Sequence, residues 1–328
     1  MKKFLKVVGY LVLLSVVIGG AAIIYILSAT PDVGEAPDLK VEISPDRVER
    51  GRYLATSVMG CMDCHAQRDW SHFAGPVKPG TTGGGGELFG SAMGLPGEYY
   101  SPNLTPYHLG DWTDGEIFRA VTSGVSKDGR ALFPIMPYLN YGQLDKEDIF
   151  SVIAYLRTLE PVENDVQESV SHFPMNIIIH TIPRKPEFTQ RPDQANRLAY
   201  GKYMFTAAAC GECHTPVKKG EAVPGKYLAG GMEFSLPNKV VSISANITPD
   251  RNTGIGSWTP DQFVQRFNDF NETVFSSYPV KDYEFNTIMP WMYYSRMRKN
   301  DLEAIHTYLS SVEKVNNRLD RYRVSAPR

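Results

Sequence analysis

Cysteine is scarce in this chain: four residues in 328, at positions 61, 64, 210 and 213. All four fall in two C-x-x-C runs, so no thiol is left for a disulfide framework or a lone nucleophile. An excess of charge of one sign is also missing. The 34 Lys and Arg nearly balance the 36 Asp and Glu, leaving a formal net charge of −2 and no basic stripe. That excludes the electrostatic footprint of a nucleic-acid binder. Strict apolar/polar alternation does not stand out anywhere, so no strands are expected. Long hydrophobic runs are absent except one, at the N-terminus.

What is present is a duplicated motif: Cys61-Met62-Asp63-Cys64-His65 and Cys210-Gly211-Glu212-Cys213-His214. C-x-x-C-H is the mark of c-type haem attachment. On a helical turn, positions i, i+3 and i+4 share a face. Both thiols can then form thioethers to the haem vinyl groups while the histidine reaches the iron. A redox dithiol leaves the histidine unexplained. A four-thiolate zinc site usually has its pairs separated by roughly 12–20 residues, whereas here almost half the chain intervenes. Two covalent haem c groups are therefore expected, with His65 and His214 as iron ligands.

Val7 to Leu27 carry no charge, 21 residues that would extend about 31 Å as a helix at ~1.5 Å per residue. That length spans a bilayer. It exceeds the ~7–15-residue core of a signal peptide, and Leu27-Ser28-Ala29 is a poor cleavage match. The run reads as an uncleaved anchor, with a cleaved signal as the alternative. Lys2, Lys3 and Lys6 would hold the N-terminus in the cytoplasm. Everything after Thr30 then lies in the periplasm, where c-type haem is attached in bacteria. Ser15 and Gly19, followed by Gly20-Ala21-Ala22, would let another membrane helix approach, although small residues are common in spans.

An internal repeat organises the rest. Gly51-Arg52-Tyr53-Leu54 answers Gly201-Lys202-Tyr203-Met204. Asn103-Leu104-Thr105-Pro106 answers Asn246-Ile247-Thr248-Pro249, Trp112-Thr113 answers Trp258-Thr259, and Ile135-Met136-Pro137 answers Ile288-Met289-Pro290. From that block on, a constant offset of 153 pairs Asp148 with Asp301 and Val162 with Val315. Ser44-Pro45 starts a helix. Thr113 with Glu116, and Thr259 with Gln262, are capping boxes opening a middle helix in each copy. Asp145 and Asn300 are candidate caps for the last helices, whose apolar residues have helical spacing. The loop Pro79–Gly86 is expected to wrap a haem edge. The expected fold is all-α: tandem duplicated class I cytochrome c domains after a transmembrane helix. The segments are a cytoplasmic stub and anchor (1–30), a linker (31–43), domain 1 (44–162), an inter-domain segment (163–196), domain 2 (197–316) and a C-terminal tail (317–328). Prolines in 163–196 argue against one long helix there. Its apolar stretch Asn176–Ile182 is expected to pack on a domain, with a membrane or partner contact as the alternative.

The remaining axial ligands point to Met136 and Met289, each followed by Pro at the same place in its copy. A thioether is a soft neutral ligand, and Met/His ligation raises the potential. Met93 and Met232 are roughly matched too, but read as packing or loop residues. Met292 pairs with Leu139 and so is not a shared ligand. His72, His108, His172, His180 and His306 lack a histidine at the corresponding place. His306 falls on a core face and reads as a satisfied buried side chain. Imidazole suits iron as well, so a His/His site in one half stays open.

The C-x-x-C-H runs, Asn246-Ile247-Thr248-Pro249 through Trp258, and Ile288-Met289-Pro290-Trp291 resemble class I cytochromes c. More closely, they resemble the cytochrome subunits of membrane-bound bacterial alcohol and sugar dehydrogenases. The resemblance covers about residues 45–162 and 197–315. It implies small helical bundles, each around one covalent haem with His and Met ligands. It also implies redox partners: a dehydrogenase as donor, and a quinone or terminal oxidase as acceptor. Those cytochromes carry three motifs where this chain has two, and here the anchor is N-terminal. The expected role is a membrane-anchored dihaem relay of single electrons, exchanging them with a dehydrogenase or quinol-oxidising complex and an oxidase. A fixed subunit of a larger complex is the near alternative. A dihaem peroxidase would need one iron without a sixth ligand, which the matched methionines oppose.

Overall fold

A computed structural model describes residues 1–218 and 220–325; the last three residues of the expected tail lie outside it. Helix α1 (Lys2–Ala29) has no buried residue. It is long and apolar enough to cross a membrane. After it the chain runs extended to Ser44. There Val41 is already buried, its N–H donating to Asp114 Oδ2 at 2.8 Å.

The two halves then lay down matching elements. The first half contains α2 (Pro45–Tyr53), continued by a π-helical turn over Leu54–Val58, and α3 (Cys61–Cys64). After these come α4 (Pro106–Leu109), α5 (Asp114–Ser123), α6 (Tyr138–Tyr141) and α7 (Lys146–Leu156). A short helix, α8 (Met175–Ile178), lies in the connecting segment. The second half has α9 (Arg197–Ala207), α10 (Cys210–His214), α11 (Pro260–Asn268), α12 (Glu272–Phe275), α13 (Trp291–Tyr294) and α14 (Lys299–Ser311). Both capping boxes form, at Thr113/Glu116 and Thr259/Gln262. Asp145 caps α7 by accepting from Glu147 N–H. Asn300 does not cap α14: it lies inside that helix, whose N-cap is Arg298. The Arg298 N–H is met instead by the Tyr53 hydroxyl from the first half, at 3.1 Å.

In each half the first helix packs on the last, α2 on α7 and α9 on α14. A glycine makes each crossing. A Cβ on Gly51 would sit 1.7 Å from the Ser151 carbonyl oxygen, and one on Gly201 would sit 1.9 Å from that of Ala304. The Asn-x-Thr-Pro blocks do identical work. Asn103 Nδ2 donates to Val162 O and Asn246 Nδ2 to Val315 O, at 2.8 and 2.7 Å. The Asn side-chain oxygens take the N–H and hydroxyl of Thr105 and Thr248.

Short strands occur where none were expected. β1 (Leu88–Phe89), β2 (Gly97–Tyr100) and β3 (Val170–Ser171) form one antiparallel ladder in that order. A small hairpin joins β4 (Val217–Lys218) to β5 (Glu221–Ala222). β6 (Glu233–Leu236), β7 (Val240–Ile243) and β8 (Tyr322–Val324) repeat the first arrangement. At two to four residues each, they are too short to show a period of two, and they join segments far apart in sequence.

The halves meet through crossed contacts. The Tyr53 hydroxyl donates to Asp301, and the Tyr203 hydroxyl donates to Asp148 at 2.7 Å. Each hydroxyl also accepts the N-cap amide of the other half's last helix, from Arg298 and Asp145 respectively. Tyr293 O–H donates to Met62 O, while its counterpart Asn140 bonds Glu212.

Candidate functional site

Each C-x-x-C-H run is a single helical turn entered through a left-handed residue, Gly60 (φ 66°) in the first half and Ala209 (φ 50°) in the second. The turn brings both thiols and the histidine to one wall of a cavity of about 1030 Å³. That is at or above the roughly 300–1,000 Å³ typical of one ligand pocket. All eight residues singled out from the sequence line it: Cys61, Cys64, His65 and Met136 with Cys210, Cys213, His214 and Met289. One continuous cavity thus serves both halves.

The histidines are oriented identically. His65 Nδ1 lies 2.8 Å from Pro102 O, and His214 Nδ1 lies 2.7 Å from Ala245 O. A carbonyl can only accept, so Nδ1 carries the proton and Nε2 keeps its lone pair. Burial pulls both pKa values down, partly opposed by these bonds, so both rings are neutral at pH 7. The chain supports each carbonyl through a close glycine approach. Gly85 and Gly230 accept no Cβ against residues 101–102 and 244–245, and their N–H groups bond His65 O and His214 O. This registers Gly85-Gly86 with Gly230-Gly231. Met232 therefore does not match Met93, and of the two only Met93 lines the cavity.

The thiols are free and face the cavity. The protein around them pushes Cys61, Cys64 and Cys210 up to about 12 and Cys213 to about 11. Met136 and Met289 sit in matched turns: Tyr138 N–H bonds Met136 O and Trp291 N–H bonds Met289 O, both at 2.8 Å. An uncharged imidazole lone pair, two adjacent thiols and a thioether on an apolar wall are a donor set that fits the haem implied by each motif.

The other histidines separate. His306 Nε2 bonds Trp258 O at 3.1 Å and is buried, as expected. His72 pairs with Asp69. His108 and His180 do line the cavity, and His180 Nδ1 is buried with no hydrogen-bond partner among the described residues. The loop Pro79–Gly86 does not line it; its glycines pack behind His65 on Ser101, Pro102 and Val162. Sequence reasoning missed a buried ion pair beside motif one, Arg68 with Asp63 at 3.3 Å. It also missed the matched Tyr141 and Tyr294, whose hydroxyls donate to Met59 O and Ala208 O just before each motif.

No family model matches the chain. Curated relatives do. The cytochrome c subunit of a quinone alcohol dehydrogenase from Gluconacetobacter polyoxogenes is 28% identical over 310 residues, 88% of this chain and 58% of that protein. The fructose dehydrogenase cytochrome subunit of Gluconobacter japonicus is 33% identical over 236 residues, 66% of this chain and 44% of that protein. A dihaem c-type cytochrome of Cereibacter sphaeroides is 29% identical over 224 residues, 60% of this chain and 73% of that protein. The chain is similar to cytochrome c subunits of bacterial dehydrogenases and to a dihaem cytochrome c, and these relatives are electron-transfer rather than catalytic subunits. It spans little more than half the length of the first of them.

Proposed function

We propose that this protein is a membrane-anchored dihaem c-type cytochrome that relays single electrons on the periplasmic side of the bacterial inner membrane. The observation that carries the reading is the convergence of both C-x-x-C-H turns, with Met136 and Met289, on one cavity. In this reading residues 44–162 and 197–316 are two copies of a class I cytochrome c domain. The recurring Asn–Val, glycine-crossing and capping-box contacts support that duplication. The ladders extend each copy to β3 and β8.

Cys61 and Cys64 would hold one haem through thioethers, and Cys210 and Cys213 the other. His65 with Met136, and His214 with Met289, would be the protein ligands that hold the iron. When bound, haem supplies a ferric/ferrous one-electron couple whose potential is raised by Met/His ligation. The chain supplies uncharged ligands, a fixed imidazole tautomer and an apolar surround. The crossed tyrosines tie the two halves together, and both motifs line the same cavity. The donor would be a dehydrogenase or quinol-oxidising complex, and the acceptor an oxidase or another carrier. The names of the relatives favour a second form of the same reading, a stable subunit of a dehydrogenase complex. Purification in mild detergent separates the two: a discrete complex supports the subunit, a lone chain the free carrier.

The test is optical spectroscopy of the matured protein with pyridine haemochrome quantification. Two covalent low-spin haems per chain are expected. Met136→Ala and Met289→Ala should each change the ligation of one haem only, while His108→Ala and His180→Ala leave both low-spin. Fewer than two haems, or a high-spin site in the wild type, would overturn the reading.

A further inference from the structure

Helix α1 touches α8 and the turn that follows it, residues 179–181. Ile26 is the one half-buried residue among the otherwise exposed residues of that helix. It stands at the end of the uncharged run Val7–Leu27. If that run fills a hydrocarbon layer about 30 Å thick, Ile26 marks its outer edge. Whatever packs there lies at headgroup depth.

The chain packed there has an unusual composition. From Ser169 to Pro183 no residue carries a fixed charge; Glu168 and Arg184 bound the stretch. Its apolar side chains are not all used inside. Phe173 is 79% exposed, Val170 56% and Ile178 45%. The segment is nevertheless firmly held. β3 pairs with β2, His172 N–H bonds Pro96 O at 2.9 Å, and Ile179 is buried with Phe89, Tyr99 and Ala131. An ordered, uncharged segment with outward Phe and Ile, continuous with the end of a membrane helix, suits the bilayer interface.

We propose that residues 169–183 form a second membrane contact, seated among lipid headgroups, which lays the first half against the bilayer. This rests on reading α1 as an anchor and not on the haem assignment. Asn176, Ile179 and His180 also line the cavity. The same segment therefore stands between the first site and the membrane, which makes the first half the membrane-proximal one.

The test uses the full-length chain in lipid nanodiscs, with p-benzoylphenylalanine placed singly at Val12, Phe173 and Val217. Val217 is similarly exposed, at 48%, but lies in the second half. After irradiation, lipid adducts are read by mass spectrometry. Adducts at 12 and 173 with none at 217 are expected. Adducts at 12 but not at 173 overturn the proposal and leave the anchor standing. Equal labelling at 173 and 217 also overturns it. No adduct at 12 removes the anchor and the proposal with it.

Discussion

A carbonyl oxygen cannot donate a proton, and that orients His65 and His214 alike. The neighbouring Arg68 shows the same economy of partners. It is 2% exposed at its side chain, pairs with Asp63, donates to Ala74 O and Gly75 O, and stacks on Trp70. Burial raises the Asp63 carboxyl, and Arg68 and Arg296 oppose the rise. Arg68→Ala should cost about 3–5 kcal/mol, because it strands a buried charge and two carbonyls. Denaturant unfolding measures it. The sign with pH follows from the raised value. The folded state prefers the protonated carboxyl, so the deficit should be largest at neutral pH. It should shrink as pH falls through that value towards the unfolded ~3.9. A pH-independent deficit would show that Asp63 is not the group left behind.

At the scale of elements, the helix pairs depend on Gly51 and Gly201. A methyl there overlaps the facing backbone, which cannot rotate away as a side chain can. Gly51→Ala and Gly201→Ala should each destabilise by about 1–3 kcal/mol or more. Gly211→Ala, whose Cβ would meet only Phe205 ring atoms at 3.6–3.7 Å, should be tolerated. Thermal unfolding of the three variants decides it; equal melting temperatures would dismiss the crossing argument. These glycines were legible as landmarks of the repeat, but not their function. The capping boxes were legible outright because N-cap and N3 are local partners. The ladders and the cap of α14 were not. Asn300 had the right residue type, yet the Tyr53 hydroxyl from 245 residues away takes the Arg298 amide.

For the whole molecule, the crossed tyrosines make two halves one body. Asp148 is buried, which alone would raise its carboxyl. The Arg50 bond, the charges of Arg50 and Arg191, and the Tyr203 hydroxyl more than offset this and hold it below the usual range. Among the described residues, Asp301 receives Tyr53 and Tyr200 but no comparable pair of guanidinium bonds. Tyr53→Phe should therefore cost more than Tyr203→Phe, within the ~1–3 kcal/mol of a lost bond to a buried charge. Paired denaturation curves check the order. Because the Asp148 value is depressed, its contribution is complete above the unfolded ~3.9 and lost as pH falls below it. Asp148→Asn should lower stability at pH 7 and narrow its gap from wild type in acid. A gap that stays constant down to pH 2 would refute the linkage.

The sequence by itself determined the features carried by neighbouring residues: two C-x-x-C-H turns, two Met-Pro turns, the capping boxes, the uncharged run of α1. Each is set by spacing within a few positions, where backbone geometry leaves little choice. Only the tertiary structure decided that both C-x-x-C-H turns open on one cavity, that Tyr53 and Tyr203 trade partners, and that residues 169–183 lie beside α1. Those facts join residues tens to hundreds of positions apart. They rest on which buried groups find partners once the helices have packed, a matter that no local pattern records.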